Sequence, residues 1–244
     1  MFPVMRRHLL PVLVIGAPLL AAACGGGASP AGPTPVGPAP APTPRATATP
    51  TARYNVTFQA TWSRATHPED FPADPHFSPL VGATHTARVR FWEPGGIATP
   101  GIEAMAELGR TTPLASEIRA VIDQGTAQHL LLGGGINPSP GNTGLDFEIS
   151  LEYPLITLVS MVAPSPDWFT GVHDMSLVED GDWVRERVVT LFAYDAGTDS
   201  GATYESPDLD SQPREPIQSI AGRPLAQNGA VAPVGQFTFR RIDN

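Results

Sequence analysis

Hydrophobic and polar residues alternate along several stretches of this chain. In YNVTFQATW, Tyr54, Val56 and Phe58 fall on one face, and the polar residues between them fall on the other. The same alternation recurs in ARVRFWE (87–93), DFEISLEY (146–153) and GQFTFRRI (235–242). Alternation of this kind predicts β-strands with one buried face.

A second pattern marks two further strands. LITLVSMVA (155–163) is apolar on both faces and is bounded by prolines, which predicts a central strand that is covered on both sides. RERVVTLFAY (185–194) predicts another strand, and it leads directly into an acidic segment. The acidic segment therefore begins at the end of a strand.

Helical periodicity is confined to a short part of the chain. TPLASEIRAVIDQG (112–125) places Leu114, Ile118 and Val121 on one face, and GIEAMAELG (101–109) predicts another short helix. Many strands with few helices, separated by turns rich in proline and glycine, favour an antiparallel sheet over an alternating parallel one. The predicted fold is all-β, an antiparallel β-sandwich with one or two short helices in its connections.

The amino-terminal residues have the form of a secretion signal. Residues 1–23 contain Arg6 and Arg7, then an apolar run, then small residues. Cys24 follows and is the only cysteine of the chain, so no disulfide can form within it. The segment resembles a bacterial lipoprotein signal, which implies that Cys24 is lipidated and anchors the protein to a membrane.

Residues 24–52 combine this cysteine with a spacer rich in proline, alanine and threonine. The spacer has no apolar periodicity, and its closely spaced prolines favour an extended, semi-rigid tether. Residues 53–244 then form one domain, large enough to bury a substantial core. We therefore expect an extracytoplasmic domain that is lipid-anchored at the cell envelope.

Charge narrows the choice of partners. The formal net charge is -9, and loss of Arg6 and Arg7 with the signal would make the chain more acidic still. Such a surface argues against binding nucleic acid and is compatible with binding cations.

The acidic segment is YDAGTDSG (194–201), in which Asp195 and Asp199 flank Gly197. Asp167 stands in VAPSPDWFTGV, just after the predicted central strand, and antiparallel pairing could bring both loops together. Carboxylates that lie close together repel one another unless a cation neutralises them, and calcium accepts irregular oxygen geometry. From the residues alone, a solvated turn, half of an enzyme's acid/base pair and a cation site all remain open.

Known catalytic patterns are missing from the sequence. The chain contains neither a G-x-S-x-G elbow nor an H-E-x-x-H helix, and its histidines have no metal-ligand spacing. DSG at 199–201 has the local form of an aspartic protease motif, but it lacks the preceding apolar strand and a second copy. The sequence therefore favours a protein that is not an enzyme.

Four segments together resemble the spondin domain, the module at the amino terminus of F-spondin and mindin. They are YNVTFQATWSRATHPEDFP (54–72), FSPLVGATHT (77–86), VAPSPDWFTGV (162–172) and YDAGTDSGATYESP (194–207). The resemblance implies an antiparallel sandwich similar to calcium-dependent membrane-binding domains. It also implies one calcium ion, held by Asp167, Asp195 and Asp199.

One feature departs from the animal members of that family. They carry cysteines near the segment that matches GVHDMSLVEDGDW (171–183), whereas this chain has none after Cys24. Disulfide bracing is therefore absent there, and we expect calcium to matter more for stability.

The favoured function is a calcium-binding, non-catalytic adhesion or recognition module in a lipoprotein of the cell envelope. Its partners would be an unidentified extracellular or cell-surface ligand, either protein or glycan, and the membrane through its lipid anchor. Two alternatives stay open: a metal-dependent envelope hydrolase that uses the same acidic site, and a purely structural lipoprotein.

Overall fold

A computed structural model of the chain describes residues 49–227 and 229–243. Over these residues the helices are α1 (Pro100–Leu108) and α2 (Thr112–Asp123). The strands are β1 (Thr51–Ala60), β2 (His76–Phe77), β3 (Val81–His85), β4 (Ala127–Leu132), β5 (Asn142–Ser150), β6 (Leu155–Ala163), β7 (Trp168–Ser176), β8 (Val178–Glu179), β9 (Asp182–Trp183), β10 (Glu186–Leu191), β11 (Ala193–Asp195), β12 (Gln218–Ser219), β13 (Ala226–Gln227), β14 (Ala230–Val231) and β15 (Gly235–Arg241).

The predicted signal, the predicted lipidation site Cys24 and the spacer up to residue 48 lie outside the described residues. The first strand begins at Thr51, so the last two residues assigned to the spacer belong to β1. In the described part of the chain, neither helix is long and apolar enough to cross a membrane.

Two large antiparallel sheets form the body of the described domain. One has the strand order β10-β15-β1-β5, and the other has the order β12-β11-β7-β6-β3-β4, with β2 added beside β6. In the first sheet, Val56 lies opposite Phe239 on β15 and Leu145 on β5. The predicted antiparallel β-sandwich is confirmed, and so are the two short helices.

The main hydrophobic core lies between these sheets. β1 contributes Tyr54, Val56 and Phe58, which are fully buried, and β15 contributes Phe237 and Phe239. Their alternation with exposed polar residues gives β1 a single buried face, as the sequence pattern predicts.

β6 has two buried faces. Ile156 and Leu158 face the core between the sheets, whereas Val159 and Met161 face a second core beneath the helices. The continuous apolar run therefore predicts the position of this strand correctly, because both of its faces are covered.

The helices are held together by a carboxylate. Glu117 of α2 accepts hydrogen bonds from the Gly101 amide (2.7 Å) and from the Thr99 hydroxyl (2.7 Å) at the start of α1. Buried Ile102 and Ile118 pack into the second core. These contacts fix α1, whose last turn lies beside the acidic loops.

The strand predicted at residues 87–93 is wrong. This segment is a loop after β3, and its consecutive residues Phe91 and Trp92 are both buried in the second core. Adjacent side chains on a strand point to opposite faces, so burial of both in one cluster is incompatible with a strand there. The apparent alternation arises from a loop that packs beside the helices.

Candidate functional site: an acidic loop cluster

The three predicted aspartates meet at one end of the sandwich. Asp167 immediately precedes β7, and Asp195 is the last residue of β11. These strands pair antiparallel, with Asp195 opposite Trp168, so Asp167 and Asp195 lie on neighbouring strand ends. Asp199 follows in the loop after β11. We call Asp167, Asp195 and Asp199, with the loop between the last two, the aspartate cluster.

Asp167 is hydrogen-bonded to the loop between Asp195 and Asp199. Its Oδ2 accepts hydrogen bonds from the amides of Thr198 (2.8 Å) and Asp199 (3.1 Å), and from the Thr198 hydroxyl (3.3 Å). The residue is fully buried. Its other oxygen, Oδ1, is also buried, yet it has no hydrogen-bond partner among the described residues. A buried carboxylate oxygen without a partner is costly, which makes this atom an indicator of a bound group.

Asp195 shapes a tight turn. Its Oδ1 accepts a hydrogen bond from the Gly197 amide (2.8 Å), and Gly197 adopts a left-handed conformation with φ +72°. The Glu215 amide donates to the Gly197 carbonyl (2.8 Å), so a second segment passes directly over the turn. A side chain at position 197 would collide with that segment, since a Cβ there would lie 2.2 Å from the Glu215 carbonyl oxygen.

Asp199 fixes the far side of the loop. Its Oδ1 accepts from the Gly201 amide (2.6 Å) and its Oδ2 accepts from the Leu209 amide (2.9 Å). The side chain is therefore oriented by backbone groups before any ligand arrives. Carboxylates held in this way lose little further freedom when they bind a cation.

Burial and mutual repulsion disfavour the charged forms of these groups. Burial, followed by the charge of Asp167, raises the pKa of Asp195 to about 6. Burial also raises the pKa of Asp167, against the hydrogen bonds from Thr198 and Asp199. The cluster thus holds more negative charge than its surroundings stabilise.

Sequence reasoning missed two carboxylates near the cluster. Burial raises the pKa of Glu107, whose neighbours include Asp167 and Asp199, and the charge of Glu215 contributes to the raised pKa of Asp195. Glu107 lies in the last turn of α1, where the helix dipole disfavours an anion. An anion at the carboxyl end of a predicted helix is therefore the one feature of the sequence that could have indicated a role for Glu107. The sequence around Glu215 has no comparable feature.

The cluster opens to solvent through a cleft of about 300 Å³. Asp195, Asp199 and Glu215 line it, together with Trp168 and Arg223. Trp168 packs edge-on against Tyr204 at 5.3 Å, which in turn packs against Trp62 at 5.5 Å. A series of aromatic contacts therefore supports Trp168 at the wall of the cleft.

The donor chemistry fits a hard cation, although the side chains are not gathered as a closed ligand shell. Across residues 49–227 and 229–243, no three His, Cys, Asp or Glu side chains converge closely enough to hold a metal ion. The unpartnered Oδ1 of Asp167 and the raised pKa of Asp195 are what a carboxylate site for calcium would show without its ion. Calcium also accepts carbonyl oxygens and water as ligands.

The fold and the cluster define an antiparallel β-sandwich domain with a carboxylate site between loops at one end. The model of the Spondin_N family matches residues 52–230, and the chain belongs to this family. It is 33% identical to rat (Rattus norvegicus) Spondin-2 over 209 residues, which are 80% of this chain and 63% of that protein.

Two further relatives are forms of Spondin-1. The chain is 35% identical to chicken (Gallus gallus) Spondin-1 over 191 residues and 34% identical to human (Homo sapiens) Spondin-1 over 206 residues. These matches cover 76% and 79% of this chain but only 24% and 25% of the relatives. The chain thus spans less than two thirds of the length of each of these proteins.

The raised pKa of Asp195 predicts how stability depends on pH in the absence of metal ions. Between the ordinary aspartate value of 3.8 and about 6, the unfolded chain has released this proton while the folded chain retains it. The contribution of Asp195 is therefore most favourable below about pH 4 and is lost as the pH rises through 6. Urea unfolding in chelator at a series of pH values would measure it.

The contribution is isolated as the difference in unfolding free energy between the parent and Asp195→Asn. The parent should lose stability relative to this variant as the pH rises from about 4 to about 6. Asp182→Asn, at the exposed first residue of β9, serves as the control for removing a carboxylate away from the aspartate cluster. If the difference in unfolding free energy stayed constant over this range, or changed in favour of the parent, the raised pKa assigned to Asp195 would be wrong.

Proposed function

We propose that the protein is a calcium-binding, non-catalytic recognition module that acts outside the cytoplasm. In this proposal Asp167, Asp195 and Asp199 hold one calcium ion, and the ion stabilises the loops around the cleft. A lipid on Cys24 would tether the domain to the cell envelope through the spacer, and its ligand would be a protein or glycan outside the cell.

The observation that carries the calcium proposal is the buried Asp167 Oδ1, which has no partner among the described residues. Oδ2 of the same carboxylate already accepts three hydrogen bonds, so the side chain is fixed and its second oxygen faces a position without a donor. A cation would supply the missing positive charge there.

The residues of the cluster favour a structural ion. Asp167 accepts hydrogen bonds from backbone amides of the cluster, and Asp199 accepts them from the amides of Gly201 and Leu209 beyond it. These bonds orient both carboxylates but engage them in holding loops together. When bound, calcium would supply positive charge that offsets the repulsion among the carboxylates. The chain's own contribution is to orient these oxygens and to hold Trp168, which lines the cleft, against Tyr204.

Extracytoplasmic placement is supported by the order of segments along the chain. The predicted signal sequence, Cys24 and a proline-rich spacer precede β1, which begins at Thr51. Membership of the Spondin_N family is consistent with a recognition role for the domain that follows. Since fold alone does not determine function, the ligand has to be sought through the surfaces of this domain.

Calorimetric titration with calcium tests the proposal. We expect about one ion to bind per chain, and we expect Asp195→Ala to lower the affinity by about a hundredfold or more, because it removes one charged ligand. At free calcium about a hundred times Kd, binding should add about 2.7 kcal/mol to the free energy of unfolding. For a domain of this size that corresponds to a rise in Tm of roughly 5–10 °C.

Asp182→Ala is the matched control. Asp182 is an exposed carboxylate in the β8–β9 hairpin, which follows the carboxyl end of β7, whereas Asp167 precedes the amino end of that strand. The control should bind calcium as the parent does. Equal affinity in the parent and in Asp195→Ala, or no binding in either, would exclude the calcium site.

A further inference from the structure

The four-stranded sheet ends in an unpaired edge at β10. In the described part of the chain, β10 pairs only with β15. The Arg241 amide donates to the Arg185 carbonyl (2.9 Å), which makes the pair Arg185 and Arg241 a hydrogen-bonded one. Hydrogen-bonded pairs alternate along an antiparallel ladder, so the amides and carbonyls of Glu186, Val188 and Thr190 point away from β15.

This edge has the properties of a pairing surface. Val188 is 52% exposed and Phe192, just beyond the strand, is 41% exposed. β10 is six residues long, contains no proline, and carries its charged residues, Glu186 and Arg187, at its amino end. A partner strand could therefore form backbone hydrogen bonds along the edge.

A groove runs beside the edge, between β10 and the carboxyl-terminal half of β7. Its volume is about 350 Å³. The apolar part of its lining consists of Val172, Met175, Val189 and Phe192. We call this feature the β10 groove. Side chains alternate along a strand, so every second side chain of a strand added to β10 would point into it.

Two nitrogen atoms in the β10 groove lack partners. Arg187 Nε and His173 Nδ1 are buried, and neither has a hydrogen-bond partner within the described residues. The nearest carboxylate oxygen to His173 Nδ1 is Asp174 Oδ2, at 3.8 Å, which is too far for a hydrogen bond. Arg187 also forms an ion pair with Glu179 through its terminal nitrogen, and Nε takes no part in that pair. The Arg187 guanidinium is a donor only, so it would be satisfied by an acceptor, and a carboxylate suits arginine best.

We propose that the β10 edge and the β10 groove bind an extended segment of another protein as an added strand, with an apolar side chain in the groove and a carboxylate at Arg187. This deepens the proposed recognition role, on which it rests, by specifying the chemistry of the partner. Charge complementarity carries the choice, because Arg187 lines the groove and none of the groove's lining residues is an Asp or a Glu. Strand addition of this kind obtains affinity from main-chain bonds and specificity from side-chain pockets.

The test uses a short labelled peptide of alternating valine and threonine with one glutamate. Fluorescence anisotropy should show saturable binding to the full chain, and a peptide with glutamine in place of the glutamate should bind about tenfold more weakly. Methylation of the peptide's backbone nitrogens on the pairing side should also weaken binding by about tenfold or more, since it removes the main-chain bonds.

Val188→Pro tests the edge directly. It removes an outward-facing amide, and proline is tolerated at such edge positions, so β10 should keep its bonds to β15. The control is Glu148→Pro on β5, the opposite edge of the same sheet. The Leu151 amide donates to the Pro50 carbonyl, and because hydrogen-bonded positions alternate along the strand, the amide of Glu148 points away from β1. Val188→Pro should weaken peptide binding by about tenfold or more, and Glu148→Pro should not.

Arg187→Gln tests the carboxylate contact. It should remove the preference for the glutamate peptide and leave binding of the glutamine peptide unchanged. Arg185→Gln removes the same charge two residues earlier, outside the β10 groove, and should preserve the preference. Thermal melts of each variant exclude loss of fold as the cause of a change.

Several results would overturn this assignment: no saturable binding, equal binding of the methylated peptide, or equal effects of the two proline variants. Dimerisation that Val188→Pro abolishes would also overturn it, by assigning the edge to a second copy of the chain. The outcome is independent of calcium binding, because Asp195→Ala leaves the groove residues intact. Failure here would leave the aspartate cluster untouched, and failure of the calcium titration would leave the peptide result standing.

Discussion

Replacement of Gly197 by alanine is expected to lower the free energy of unfolding by about 2–5 kcal/mol. The left-handed conformation at φ +72° costs a residue with a side chain about 1–2 kcal/mol. The new Cβ would also lie 2.2 Å from the Glu215 carbonyl oxygen, which is backbone and cannot rotate away. Overpacking of this kind adds about 1–3 kcal/mol.

The same substitution should weaken calcium binding, because Asp195 and Asp199 lie on either side of the turn. Urea unfolding and calcium titration would measure the two effects. Gly181→Ala is the matched control, since Gly181 has φ +86° but open space around the position where a Cβ would stand. It should show only the conformational cost, with calcium affinity unchanged. Equal destabilisation by both variants would mean that contact with Glu215 is unimportant.

Truncation of Trp62 to alanine is expected to destabilise the domain by about 3–5 kcal/mol. The indole is fully buried and packs against Phe71 (5.2 Å between ring centroids), Phe77 (5.7 Å) and Tyr204 (5.5 Å). Its removal deletes a large apolar volume at the end of β1, and the surrounding sheet cannot collapse fully into the space. Chemical denaturation, with Tm as a second measure, would quantify the loss.

Trp62 should also affect the aspartate cluster, through the contact of Tyr204 with Trp168, which follows Asp167. Calcium affinity is therefore expected to fall in Trp62→Ala, although no ligand has changed. Trp62→Phe keeps an aromatic ring in place and should lose clearly less stability and affinity than the alanine variant. A loss below about 1 kcal/mol for Trp62→Ala would show that this series of aromatic contacts does not support the end of the sandwich.

The strands with simple periodicity could be predicted because their burial depends on local order along the chain. In β1, inward and outward positions alternate without interruption, and in β6 every position is covered. The helix at 112–125 could likewise be predicted from its apolar face, and the observed α2 occupies Thr112–Asp123. In such segments the period of the side chains and the period of burial coincide.

Elsewhere the pattern of apolar and polar residues predicted the wrong structure or predicted none. Residues 87–93 alternate but form a loop, because Phe91 and Trp92 are buried together beside the helices. β3 and β4 gave no clear signal, since VGATH and AQHLLL lack an alternation of apolar and polar residues. Their strand character depends on pairing with β6 and with each other, which is a property of the sheet.

The candidate site divides in the same way. The spacing of Asp195, Gly197 and Asp199 is local, and the turn that it predicts is present, with the glycine in the conformation that such a turn requires. The position of Asp167 beside that turn follows from the pairing of β7 with β11, which the sequence offered as one arrangement among several and the family resemblance implied. Glu107 and Glu215 approach from distant segments that no spacing in the sequence connects.

By itself the sequence determined the class of fold, the places of several main strands along the chain, the two helices and an acidic turn. Each of these depends on side-chain period or on backbone preference within a few residues. Only the tertiary structure decided that Asp167 Oδ1 is buried without a partner among the described residues and that Glu107 adds to the charge around the cluster. It likewise decided that β10 is left with an open edge beside a groove. These features depend on which strands pair and which loops meet, and contacts between residues far apart in the chain are set by the packing of the whole domain.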